Sequence, residues 1–154
     1  MGLFTNTIAT EYCKRVQALK GQDDKTFKLV LDNKTIRDLI IFLNTDDQLG
    51  NDKTDSLGNS LGVYSFATEQ MSGGKKRAGE QINLNDTGEF WDSWKVSVQA
   101  GNITIDANPF KEDTNLFDEY GIDVLGLTDE NLQVLINEAL EKYINWYERN
   151  ILSR

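Results

Sequence analysis

Hydrophobic and polar residues alternate at Ile82-Asn83-Leu84-Asn85 and again from Trp94 to Gln99, with Trp94, Val96 and Val98 on one side. Period two is the pattern of a half-buried strand. Between these runs lies Asp86-Thr87-Gly88. Asp bonds its own backbone two residues on and Gly tolerates positive φ, so the trio predicts a turn. Phe90, Trp91 and Trp94 follow at helical spacing. The stretch 82–98 therefore predicts strand, turn, short aromatic helix and strand, with the rings at the centre of a small core.

The remaining patterns surround this stretch. Ile8, Tyr12, Val16 and Leu19 fall on one helical face and predict a helix over Thr5–Leu19. Phe27, Leu29 and Leu31 alternate with Lys28, Val30 and Asp32 and predict a short strand over Gln22–Asp32; a helix running on into the next segment also fits. Ile36, Leu39, Ile40 and Leu43 predict a helix over Thr35–Leu43, with Asn33 or Thr35 as its cap. Ala100-Gly101-Asn102 reads as a hairpin turn, and Ile103 and Ile105 as its returning strand, ended by Pro109. Leu116, Phe117 and Tyr120 place a short helix over Asp113–Tyr120, stopped by Gly121. Thr128 caps the last helix, with Asp129 and Glu130 at its positive end. Its stripe runs through Leu132, Leu135, Ile136, Ala139, Leu140, Tyr143, Ile144, Tyr147 and Ile151. The fold class expected is α+β over residues 1–154, a small antiparallel sheet packed by N-terminal and C-terminal helices.

Residues 44–79 break the periodicity. The stretch is rich in Gly, Asn, Asp and Ser and is too long for an ordinary connection. It reads either as a mobile surface loop or as an extended arm that becomes ordered against a neighbour. Leu61, Val63, Tyr64 and Phe66 give such an arm an anchor. Lys75, Lys76 and Arg77 form a basic tip, either solvated or aimed at an acidic surface. Trp94 is the expected core anchor, and Phe90 and Trp91 join Tyr64, Phe66 and the basic tip as interface candidates.

Composition narrows the chemistry. The chain has no histidine and one cysteine, Cys13. The commonest general base and metal ligand is absent, and no intramolecular disulfide can form. Cys13 reads as a small hydrophobe rather than a nucleophile. The net charge of −9 disfavours a general nucleic-acid binder. No apolar run approaches the roughly 20 residues of a membrane helix. The N-terminus lacks the basic and apolar regions of a secretory leader.

Three partial motifs fall short. Asp86-Thr87-Gly88 is the triplet of aspartic proteases, but it occurs once, so activity would require a homodimer. Ser72-Gly73-Gly74-Lys75-Lys76 resembles a phosphate-binding loop, yet Glu69 and Lys76 stand where that motif needs Gly and Ser or Thr. The carboxylates Asp106, Glu112, Asp113, Asp118, Glu119 and Asp123 match no calcium loop and read as a solvated acidic face. No cofactor is expected. An acidic module that binds a basic partner, or an assembly factor, remains compatible with these features.

Leu84, Asp86, Thr87, Gly88, Phe90 and Ser93 form L-x-D-T-G-x-F-x-x-S. This resembles the apolar-x-x-T-G-x-apolar-x-x-S signature of tail-completion, or head–tail joining, proteins of tailed bacteriophages. The segment LFDEYGIDVLGLTDENLQVLINEALEKY is similar to the part that follows in that family. Leu61-Gly62-x-Tyr64-Ser65 resembles a loop seen in phages and prophages of Bacteroides-type bacteria. The resemblance covers roughly Asn44 to Tyr143. It implies a virion structural protein without catalytic activity, made in the host cytoplasm and built as a ring into the neck. Its partners would be other copies of itself and the neighbouring portal, connector and tail proteins. An acidic lumen would let packaged DNA slide.

Overall fold

The computed structural model describes residues 28–99, 102–111 and 113–152, without the side chains of 151 and 152. The helix expected over Thr5–Leu19 lies outside them. Of the stretch Gln22–Asp32, residues 22–27 lie outside the described residues and residues 28–31 are helical, which fits the alternative of a helix there rather than a strand. Val30 and Leu31 are adjacent and both buried, an arrangement a two-sided strand reading misses.

Helix α1 is Lys34–Phe42, and the Asn33 side chain accepts the Thr35 amide at 2.8 Å to cap it. Ile36 and Ile40, one turn apart, are fully buried. The chain does not then leave as an arm. Leu43–Asp52 continues as a π-helical segment in which Asn44, Thr45, Gln48 and Leu49 are buried. The wider helix leaves carbonyls and side chains in unusual positions, and buried amides serve them. Asn44 donates to the Ile40 carbonyl at 2.7 Å and accepts the Gly126 amide at 3.0 Å. Gln48 accepts the Thr128 amide at 2.9 Å and donates to the Gly126 carbonyl at 3.1 Å. Asn131 donates to the Leu43 carbonyl at 3.1 Å.

Residues 53–81 form a locally bonded excursion rather than an extended arm. Buried Asp55 accepts the amides of Leu57 and Asn59, and Ser65 caps helix α2, Phe66–Met71. The strand expected at Ile82–Leu84 is absent. Gln81 makes a single bridge to Val63, and Leu84 takes φ 55°, which no strand accommodates. The turn is present: Gly88, at φ 90°, leads into helix α3, Glu89–Asp92.

Strands β1 (Lys95–Gln99) and β2 (Asn102–Asp106) pair antiparallel, with Val96 opposite Ile105 and Val98 opposite Ile103. The Ala100-Gly101 part of the expected turn lies outside the described residues. A second ribbon joins β3 (Phe110–Lys111) to β4 (Thr114–Asn115), so the helix expected from Asp113 starts only at Leu116. That helix, α4, is Leu116–Tyr120, followed by a 3-10 turn at Ile122–Val124. The last helix, α5, is Asp129–Tyr147, capped by Thr128 as expected, and runs on into a π turn at Glu148–Leu152.

The fold is mixed α+β. One cluster joins Leu31, Ile36, Ile40, Leu43 and Leu135 to Val98 of the hairpin. Helices α1 and α5 thus supply its helical side. The other cluster gathers Leu49, Phe90, Trp94, Ala107, Leu116 and Val124. Ile105 packs against both.

Candidate interaction surfaces

The central turn opens onto a cleft of about 220 Å³ lined by Tyr64, Lys76, Asp86, Lys111, Glu119 and Tyr120, among others. Of the two residues expected to brace the turn, Asp86 or Thr87, Asp86 does not. Thr87 does so weakly, its hydroxyl accepting the Glu89 amide at 3.4 Å. The Asp86 carboxylate instead forms ion pairs with Lys111 and, at 3.0 Å, with Lys76. These two ammonium groups, Lys111 first, hold its carboxyl below the ordinary value of 3.8. A hydrolytic aspartate dyad needs a carboxyl that shares a proton. Two clamping lysines act in the opposite sense.

Lys76 also stands over the Tyr64 ring, 5.4 Å from its centroid. The Tyr64 hydroxyl donates to the Asn83 side-chain oxygen at 3.1 Å. Lys76 and Tyr64 are therefore turned inward, and only Lys75 and Arg77 of the basic tip are exposed. On the far wall, burial and then the Glu119 charge push the Tyr120 phenol up to about 12.

The interface candidates on the aromatic helix are mostly internal. Phe90 is buried, edge-on to Trp94 at 5.8 Å and to Phe117 at 6.3 Å. Trp91 is half-buried against Gly50. The indole N–H groups of Trp91 and Trp94 are both buried without an acceptor among the described residues. Trp94 is buried as expected, whereas Phe90, an interface candidate, is buried beside it. Ser93 ties the aromatic helix to the chain beyond the hairpin. Its hydroxyl donates to the Phe90 carbonyl at 2.7 Å and accepts the Asn108 amide at 2.9 Å.

Phe66 is exposed as expected, at 67%, and the excursion also presents Leu57, Val63 and Met71. Its tip is braced by bonds within itself. Glu69 accepts the Ala78 amide and Ser72 accepts that of Lys76. The apolar side chains are thus displayed on a bonded frame.

A second apolar surface lies on α5. Leu132, Leu135, Ile136, Ala139, Leu140 and Tyr143 face Val30, Leu31 and Ile103 across a groove of about 400 Å³ almost without polar atoms. Of the expected stripe only Leu135 is buried; Leu132, Ile136, Leu140, Tyr143 and Ile144 are exposed, and the Ile151 side chain lies outside the described residues.

No group of three or more acidic or cysteine side chains is gathered to hold a metal ion among the described residues. No described helix is long and apolar enough to cross a membrane. No protein-family model, curated protein or solved structure matches the chain.

Proposed function

We propose that this chain is a virion structural protein of a tailed bacteriophage, a head–tail connector component that completes the neck by assembling into a ring. The observation that carries the reading is the excursion 53–81. It displays Leu57, Val63, Phe66 and Met71 beside exposed Lys75 and Arg77, on a chain of net charge −9. Apolar groups beside a basic tip are complementary to the acidic body of another copy, and charge complementarity fixes which copies meet and in what register. The resemblance around Asp86-Thr87-Gly88 supports the same reading. In this fold those residues make a left-handed turn and an ion-paired clamp, which supports an architectural use of the motif.

The partners are other copies, then the portal-side and tail-side proteins. The acidic surface that remains would face the DNA channel and repel its phosphates. Sedimentation of the purified chain should show a concentration-dependent ring. Phe66→Ser combined with Met71→Ser should abolish the ring with little change in melting temperature, because both side chains are exposed. A chain that stays monomeric at high concentration, and that mass spectrometry does not find in virions, would overturn the proposal.

A further inference from the structure

The cleft at the central turn has a second compartment. Beyond the Lys76–Asp86–Lys111 triad lies a space of about 470 Å³, lined by Thr68, Met71, Ser72 and Lys75 of the excursion. The triad lines both spaces and forms their common wall, together with Thr87 and Glu89. The two sides differ in charge. The inner one adds Glu119 to the shared groups and is walled by apolar side chains such as Leu84, Phe90 and Leu116. The outer one adds Lys75 instead, so Lys75, Lys76 and Lys111 face only Asp86 and Glu89 there. That surplus of positive charge is the reverse of the chain as a whole, which carries −9.

The triad already shows what its lysines are spaced to hold. Both ammonium groups reach one carboxylate, that of Asp86. Each ammonium carries three N–H donors, and Asp86 takes one from each. Two positive charges and one negative charge leave the group one carboxylate short of neutrality. The Lys111 side chain is 37% exposed and that of Lys76 18%, so Lys111 is the more open of the two. Ion pairs between partly exposed groups hold weakly against exchange, and a carboxylate arriving from the outer side would bring attraction without stranding a charge. Met71 and Lys75, which line that side, belong to the excursion, the surface that the ring reading places against another copy. A neighbouring copy carries 25 acidic residues against 16 basic ones. Its surface is rich in the group the triad lacks.

We infer that the Lys76–Asp86–Lys111 triad is a carboxylate seat for a second copy of this chain. In the free protein Asp86 occupies the seat alone. In the assembly an Asp or Glu side chain of the neighbouring copy enters from the Lys75 side and shares both lysines. The inference rests on the ring reading above and names the chemistry of its contact. Asp86 is then a placeholder that keeps two ammonium groups converged until the second acid arrives.

The test uses full-length protein at ring-forming concentration, as an equal mixture of isotope-labelled and unlabelled copies. A water-soluble carbodiimide joins amines to carboxylates in contact with them, and peptide masses separate bridges within a copy from those between copies. The bridge from Lys111 to Asp86 within each copy is the internal control. We expect mixed-isotope bridges from Lys111 and Lys76 to an acidic residue of the other copy. Asp86→Asn, which removes the placeholder, should increase them. Lys111→Met should raise the dissociation constant of the contact about tenfold, Lys111→Arg should restore it, and melting curves confirm that each variant is folded. Mixed bridges confined to Lys75, or a ring indifferent to Lys111→Met, would overturn the inference and leave the ring reading standing. A chain that forms no ring would overturn both.

Discussion

A Cβ on Gly50 would sit 3.0 Å from the Thr45 carbonyl oxygen and 3.1 Å from the Trp91 ring. In an ordinary exposed helix a Gly→Ala change is stabilising. Here the neighbours are a backbone atom and a half-buried ring, so Gly50→Ala should destabilise by about 1–3 kcal/mol as overpacking does, measured by urea melts. Trp91 is the other half of that contact, and Trp91→Ala should lower monomer stability rather than act only on association. Trp94→Ala should cost about 3–5 kcal/mol, since Trp94 is 4% exposed at the centre of its cluster. Asp86 and Tyr120 set opposite pH limits. The Asp86 carboxyl is depressed by Lys111 and Lys76, so its contribution is present above 3.8 and fades as pH falls below it. Asp86→Asn should flatten the acid limb of a melting-temperature profile, modestly because the pair is partly solvated. The Tyr120 phenol is raised, so its contribution is intact below pH 10.0 and fades as pH rises toward about 12. Tyr120→Phe should remove that alkaline loss, and the phenolate absorbance should lose a component that titrates at about 12.

Among the elements, the π-helical segment Leu43–Asp52 depends on amides rather than on apolar contacts alone. Replacing Asn44 or Gln48 by Ala orphans the Gly126 or Thr128 backbone groups that each now serves. Each change should cost about 1–3 kcal/mol, seen in denaturant melts together with faster hydrogen exchange at Gly126 and Thr128. This is where the sequence was hardest to read. Asn44, Gln48 and Asn131 look like loop or surface residues because polarity carries no record of a partner far along the chain. Elements whose cause is local were legible. Ile36 and Ile40 marked α1, Thr128 marked the start of α5, and Val96 and Val98 with Ile103 and Ile105 marked the hairpin. The Ile82–Leu84 alternation misled because so short a pattern cannot supply a pairing partner. The Asp86 clamp was half visible: the acid stood out, whereas Lys111 reaches it only through the ribbon Phe110–Asn115.

At the scale of the molecule, two apolar clusters meet at Ile105, and the excursion touches the second of them through Leu61 at its base. The Tyr64 amide donates to the Glu80 carbonyl and the Tyr64 carbonyl accepts the Gly79 amide. Val63 bridges Gln81, and the Ile82 amide donates to the Gly62 carbonyl at 3.0 Å. Residues 65–79 therefore leave and re-enter at one point. Excising them in favour of a short Asn-Gly turn should leave the hairpin and α5 folded, with near-native far-ultraviolet dichroism and a cooperative melt. Lys76 would go with the insert, so the acid limb attributed to Asp86 should weaken in the same variant. The pinned base also makes this segment a replaceable cassette. Its length and display residues can change from one lineage to another without any renegotiation inside the clusters, as loop-tip insertions are tolerated where the ends are fixed. A protein arranged this way can acquire a new docking partner by exchanging about fifteen residues and keep the rest of its sequence untouched.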